Sequence, residues 1–327
     1  FENATSSGVD TREDTTVTRV EFSESGTPRR VHARRGDGRQ LCFQPRYLVD
    51  ASGRDTLLGR ALKLKRKNPR HQSAAIFSHF SGVARREGED AGNISVLRFA
   101  HGWIWMIPLP DGLMSVGAVC FPDYLKQRQG DAESFLMQTL AMQPAVVARM
   151  HEAQRVAPVH VTGNYSYTCQ RMAGPGWVMV GDAYTFVDPI FSSGVYLGMD
   201  MAEQAAGMVD AALRDPTCEA ELQQALQKRC DRGLAWFSWF IYRFLSPTMA
   251  HLFAHPNNRW QVEQAVISLL AGDVFDNPRV RRRLRVFQAV FMLRALAMLP
   301  ASLAARWRRR RAAKARFEHE TLAPSTP

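Results

Sequence analysis

Cysteine is scarce in this sequence and poorly placed for cross-linking. The 327 residues contain five, Cys42, Cys120, Cys169, Cys218 and Cys230. The number is odd and no two are spaced Cys-x-x-Cys, which argues against a disulfide framework or a cysteine-rich zinc site and fits a reducing cytoplasm. A long apolar run is also missing. The best candidate, 286–305, is interrupted by Arg294 and Pro300, so it does not read as a membrane-spanning helix. Acidic residues are absent from Arg279 to Arg316, a stretch that holds 13 Lys and Arg. The whole chain carries +11, and the residues before Arg279 carry no net charge. The basic character therefore belongs to a tail and says nothing about the body's substrate, nor does it point to nucleic acid. Finally, there is no Gly-x-Gly-x-x-Gly. Gly36-x-Gly38 has no third glycine and no helix after it, so the phosphate cradle of a dinucleotide-binding βαβ unit is not encoded in these residues. The sequence starts at Phe1 without a secretory leader, which predicts a fragment, a processed chain or an alternative gene start.

What is present is ordinary globular composition, 46% hydrophobic and 22% charged, enough for one large domain or two smaller ones. Period-two alternation over Thr15–Phe22, the Gly36-Asp37-Gly38 turn and the apolar stretch Tyr47–Asp50 make residues 1–60 β-rich. Further antiparallel strands are predicted at 74–80, 94–99, 104–108 and 114–120, and 156–167 reads as extended. A helix is predicted over 131–149. Trp177-Val178-Met179-Val180 is a continuous apolar run, as in a parallel strand covered on both faces. Helices are then predicted over 192–213, 219–245 and 259–272. The stripe Trp236, Trp239, Phe240 and Phe244 reads as packing.

The densest chemical motif runs from Gly181 to Val195, Gly-Asp-Ala-Tyr-Thr-Phe-Val-Asp-Pro-Ile-Phe-Ser-Ser-Gly-Val. A buried strand ends in Gly-Asp, a turn follows, and a helix begins near Ser-Gly. Asp182 at the strand end can accept hydrogen bonds from sugar-alcohol hydroxyls, and Gly181 permits close backbone approach. The first N–H groups of the following helix have no partner within the helix and carry partial positive charge, which suits an electron-rich ring edge or a small anion. A second motif is Gly102-Trp103-Ile104-Trp105-Met106-Ile107-Pro108, and a third is Leu48-Val49-Asp50-Ala51-Ser52-Gly53-Arg54.

Together these motifs resemble the flavin-dependent halogenases, FAD enzymes of the glutathione-reductase-like class. Gly181-Asp182-Ala183 followed by Phe186, Pro189, Ser192 and Gly194 is similar to the family's Gly-Asp-Ala and Phe-x-x-Pro-x-x-Ser-x-Gly pattern. Trp103, Trp105, Ile107 and Pro108 match its Trp-x-Trp-x-Ile-Pro. The resemblance covers most of residues 1–200 and fades in the C-terminal helices. It implies an α+β, α/β flavoprotein fold: a remnant of the FAD-binding domain over 1–60, an antiparallel substrate sheet over 61–170, a returning FAD-binding segment over 171–215, a helical region over 216–305 and a disordered basic tail over 306–327.

It further implies FAD contacts at Asp50, Ala51, Gly53, Gly181, Asp182, Pro189, Gly194 and Val195. Halide binding falls at Ser193 and Gly194, and Trp103, Trp105, Pro108, Phe186, Pro189 and Phe191 line the active site. The resemblance implies FAD reduced by a partner flavin reductase, with O₂ and halide as co-substrates. The product would be a halogenated electron-rich aromatic, phenolic or pyrrolic, free or bound to an acyl carrier protein, in natural-product biosynthesis. Two departures stand out. The nucleotide motif and the family's catalytic lysine match nothing here, so the chain as given is expected to bind FAD poorly. Phe191 occupies a step where halogenases of free tryptophan carry glutamate, which aligns the chain with the phenol and pyrrole halogenases. An FAD monooxygenase, a geranylgeranyl-reductase-like enzyme, and a non-catalytic remnant binding a carrier protein or membrane are the rival readings.

His251 and His255 share an i, i+4 spacing, but Pro256 follows and no third ligand is evident, so no metal site is expected. The basic tail reads as a solvated segment, or as a peripheral contact with an anionic membrane surface or an acidic carrier protein.

Overall fold

The computed structural model describes residues 1–68, 73–163, 166–255, 258, 261–299 and 307. The chain forms two compact units with interleaved sequence. One comprises Phe1–Arg66, Thr168–Phe186 and Gly194–Arg232; the other comprises Lys67–Tyr167, Val187–Ser193 and Gly233–Pro327.

In the first unit, strands Thr15–Phe22, Pro28–Arg35 and Gln40–Phe43 form an antiparallel meander. The Gly36-Asp37-Gly38 turn closes its second hairpin, with Asp37 Oδ1 accepting from Arg39 N at 2.9 Å. A second sheet pairs Trp177–Met179 parallel to Leu48–Asp50, in the register Trp177 to Leu48 and Met179 to Asp50. Trp177, Val178 and Met179 are fully buried, as expected of a strand covered on both faces. The long helix Gly194–Arg214 buries Met201, Ala205, Met208 and Ala212, one stripe at helical spacing. A salt bridge from Arg229 to Asp200, with N–O distances of 2.7 and 2.9 Å, ties this helix to the next one, Glu219–Phe244.

The predicted helix start at Ser192 is corrected to Gly194. Ser192 has φ 52° and ψ 25°, a left-handed conformation that a right-handed helix cannot include.

The second unit is built on an antiparallel sheet in the order Gln154–Arg155, Ala74–Ser81, Met114–Cys120, Gly102–Pro108, Ser95–Phe99, with His160–Gly163 also pairing with Ala74–Ser81. Alternation divides its faces. Ile76, Phe80, Ile104, Met106, Met114, Val116 and Ala118 form one buried layer with Phe135, Leu136 and Leu140. Each large side chain buried this way contributes roughly 1.5–3 kcal/mol.

The single helix predicted over 131–149 is instead two, Ala132–Leu140 and Pro144–Arg149. Pro144 lacks an N–H and pushes Gln143 to φ −115°, ψ 106°, which breaks the helix there. Helices Pro247–Ala254, Val262–Leu270 and Pro278–Ala297 complete the unit. Arg259 and Trp260, where the predicted 259–272 helix begins, lie outside the described residues, as does the 306–327 tail apart from Trp307. Trp239 meets Phe291 at 5.3 Å between ring centroids, and Phe240 meets Phe287 at 6.1 Å, so these members of the aromatic stripe are packing residues. No helix among the described residues is long and apolar enough to cross a membrane.

Candidate functional site

Three segments converge in the first unit, one of them more than 120 residues before the other two. The Gly53–Asp55 turn packs against the Gly181–Ala183 turn, which in turn packs against the helix Gly194–Arg214. The backbone explains each part. Asp50 is buried, and its carboxylate accepts from Ser52 N at 2.9 Å and Leu58 N at 2.7 Å, so it holds the Ala51-Ser52-Gly53 turn in shape. It acts on the protein's own backbone, and any role toward a ligand passes through the turn it fixes. Ala51 is exposed and Gly53 half-buried at φ 61°.

Gly181 has φ 55°, and a β-carbon there would lie 3.2 Å from Gly198 Cα, so glycine is needed both for the conformation and for the approach of the helix. Gly194 differs. A β-carbon there would meet only Asp182 Oδ1, at 3.9 Å, and its φ is not in the left-handed region. Protein packing therefore does not require glycine at the first residue of the helix, whereas a ligand laid against that backbone would. Val195 beside it is exposed.

Asp182 is half-buried. Burial pushes its carboxyl above the usual range, and the Arg54 guanidinium pulls it partly back. Arg54 also stands 5.9 Å over the Phe186 ring. The charge role of Arg54 was not legible in the turn motif, because it depends on which turn folds beside it. The Asp182 carboxylate, an acceptor for sugar-alcohol hydroxyls, the N–H groups at a long helix's start and the approachable backbone at Gly53 and Gly194 form a donor and acceptor set that fits a flavin.

The remaining motif residues lie in the second unit. Asp188 is buried and caps the short turn Pro189–Phe191, accepting from Ile190 N at 3.0 Å, with Pro189 at the first position where a missing N–H costs nothing. Phe191 packs on Phe240 and Phe244, with ring centroids 5.3 and 4.9 Å away. Ser193 is buried. The peptide from Ser193 to Gly194 passes from one unit to the other.

Trp103 and Trp105 project from one face of the Gly102–Pro108 strand, opposite the Ile104 and Met106 core layer, with ring centroids 5.7 Å apart. Trp103 is buried. Trp105 donates from Nε1 to Ser115 Oγ at 3.1 Å and lies beside Phe77. Pro108 ends the strand, half-buried and paired with Met114.

His251 and His255 lie side by side with ring centroids 4.4 Å apart and planes tilted by 31°, and His251 Nε2 lies 2.6 Å from Arg294. A cation so close is a poor neighbour for a metal ion.

The tryptophan halogenase family model matches residues 1–248. The chain belongs to the tryptophan halogenase family. Among relatives of this family, it is 28% identical over 288 residues to the 1H-pyrrole-2-carbonyl-[peptidyl-carrier protein] chlorinase of Pseudomonas fluorescens, covering 86% of this chain and 63% of that protein. It is 31% identical over 240 residues to tryptophan 2-halogenase of Chondromyces crocatus, covering 72% and 46%. In structure it resembles a triple mutant of the flavin-dependent brominase Bmp2, with a TM-score of 0.76, 26% identity, and 88% of this chain and 73% of that one covered. It also resembles the myxobacterial chondrochloren halogenase CndH, at 0.70 and 28%, covering 91% and 71%. The mixed α/β fold with a helical C-terminal region is thus that of FAD-dependent halogenases. The chain spans about half the length of the curated family members it matches.

Proposed function

We propose that this protein serves flavin-dependent halogenation of an electron-rich aromatic ring, phenolic or pyrrolic, including rings tethered to an acyl carrier protein, in natural-product biosynthesis. The observation that carries the reading is the convergence of Gly53, Asp182 and Gly194 in one unit, with a glycine at 194 that protein packing does not explain. When bound, reduced FAD would supply two electrons. With O₂ as oxidant and halide as the second donor, O₂ goes to water and an aromatic C–H becomes a carbon–halogen bond with loss of a proton.

The chain's own residues supply binding and exclusion. Asp182 accepts from sugar-alcohol hydroxyls of the cofactor. Gly53, Ala51, Gly181, Gly194 and Val195 present backbone to it, and Pro189 fixes the turn that leads there. Backbone N–H groups at Ser193 and Gly194 hold halide, which a helix start favours. Trp103 and Trp105, with Pro108 and Phe191, would keep the ring of the substrate off the cofactor, and Phe186 would offer an apolar surface of its own.

The pyrrole class is supported by the carrier-bound pyrrole chlorinase among the relatives, and the phenolic class by the sulochrin halogenase of Aspergillus terreus, 33% identical over 195 residues. A separate flavin reductase delivers reduced FAD, and the five free thiols suit the reducing cytoplasm where we place the enzyme.

The test uses the 327-residue chain and the same chain with the coding sequence immediately upstream of Phe1. Each is supplied with a flavin reductase, FAD, and bromide or chloride, and offered phenolic and pyrrolic substrates, free and carrier-bound. Mass spectrometry is expected to find halogen added by the extended chain and little or none by the 327 residues alone, which lack the Gly-x-Gly-x-x-Gly cradle. Oxygen added without halogen across the panel would transfer the reading to a monooxygenase.

A further inference from the structure

The last described helix, Pro278–Ala297, is apolar on two faces. Val280, Leu284, Phe287 and Phe291 are buried against the unit. On the other side, Val286, Met292, Leu293, Leu296 and Leu299 are 36, 53, 70, 66 and 54% exposed. Leu293, Leu296 and Leu299, the last just past the helix end, follow one another at spacings of three residues, Met292 lies four before Leu296, and Val286 lies two turns before Leu293 on the same side, over about 20 Å of chain. An apolar strip of this kind is unusual on a soluble surface and marks an interaction site.

Charge completes the pattern. Arg279, Arg282 and Arg285 are exposed on the same helix, and the sequence from 306 to 316 adds seven more Lys and Arg with no carboxylate. Four arginines occupy the first six helical residues (278–283), where the helix dipole disfavours cations. Of these, Arg281 has a structural use, donating to the Val274 and Phe275 carbonyls. Helix stability does not account for the others.

We propose that this face docks on an anionic membrane surface, with the leucines entering the headgroup boundary and the arginines meeting lipid phosphates. The helix lies on the bilayer and does not cross it, because Arg294 interrupts its apolar run. A second copy of the chain is a poor occupant, since a two-fold contact would bring two basic segments together. The inference does not depend on the halogenation reading.

Co-sedimentation of the full chain with phosphatidylcholine vesicles, and with vesicles containing one-third phosphatidylserine, tests it. Binding is expected only to the anionic vesicles and should weaken as salt is raised. Leu293→Asp with Leu296→Asp, and separately Arg282→Glu with Arg285→Glu, should each lower the apparent affinity about tenfold or more. All four positions are outward-facing, and circular dichroism with thermal melting confirms the variants remain folded. Failure to bind anionic vesicles, or binding that both folded variants retain, overturns the proposal. Light scattering showing that Leu293→Asp dissociates a dimer, or salt-sensitive capture of an acyl carrier protein in place of vesicles, overturns it in favour of that partner.

Discussion

Asp182 and Gly194 carry opposite kinds of information. Asp182 is a carboxyl that the fold does not favour in its ionised form, because burial raises its pKa and Arg54 offsets only part of that. A carboxyl whose folded pKa exceeds its unfolded value of about 4 holds its proton more tightly in the folded state. Stability therefore falls as pH rises from about 4 through the folded pKa, then levels off. Asp182→Asn is expected to leave the melting temperature at neutral pH unchanged or higher and to flatten the fall that begins above about pH 4. The same variant should weaken FAD capture about tenfold, read by quenching of flavin fluorescence. A large loss of stability at pH 7 would instead make Asp182 a structural residue. At this scale the sequence was informative about residue types. Gly181 and Asp182 stand at a strand end that suits close approach and hydrogen bonding, but their assignment to a flavin, and that of Gly194, came from the family resemblance. The Arg54 contribution, and the use of Asp50 on its own turn, depend on distances that no spacing encodes.

Among the elements, the sheet of the second unit was the most legible, because period-two alternation places Ile104 and Met106 on one side and Trp103 and Trp105 on the other. What alternation does not show is the partner beneath an aromatic. A β-carbon at Gly117 would lie 2.4 Å from both Trp105 Cζ2 and Phe77 Cβ. The indole lies over a gap that only glycine leaves. Gly117→Ala is expected to displace Trp105 and destabilise the protein by about 1–3 kcal/mol, the usual cost of overpacking. Urea denaturation followed by tryptophan emission measures both effects. An unchanged spectrum with unchanged stability would mean that the indole is loosely held. The misjudged elements have local causes. Pro144 splits a helix that composition alone joins, and the left-handed Ser192 delays one that the Ser192-Ser193 pair would begin on sequence alone.

For the whole molecule, the two interleaved units rest on contacts between segments more than 100 residues apart; periodicity does not encode such contacts, and the expected returning segment over 171–215 came from the family resemblance alone. The division can be tested with thiols. Burial pushes Cys120 in one unit up to about 12, and Cys169 and Cys230 in the other up to about 11 and about 12. Cys42 is exposed and Cys218 half-buried. Maleimide at neutral pH is expected to label Cys42 first and Cys218 more slowly, and to reach the other three only after unfolding. Rapid native labelling of Cys169 or Cys230 with protection of Cys120 would show that the first unit does not hold together in this chain.

The central claim is that the Ser193–Gly194 backbone seats flavin and halide, and it is tested most directly by halide incorporation in the chain extended upstream of Phe1. Wild type, Ser193→Ala and Gly194→Val would be compared with bromide and chloride, with products read by mass spectrometry. Protein packing leaves room for a β-carbon at Gly194, with only Asp182 Oδ1 within 4 Å, and circular dichroism with thermal melting checks that the valine variant is folded. It should nevertheless lose about a hundredfold or more of its halogenation, as displaced reacting groups do. Ser193→Ala should retain most of its activity, since the backbone donors remain. Undiminished halogenation by a folded Gly194→Val variant would contradict the account and place the halide elsewhere.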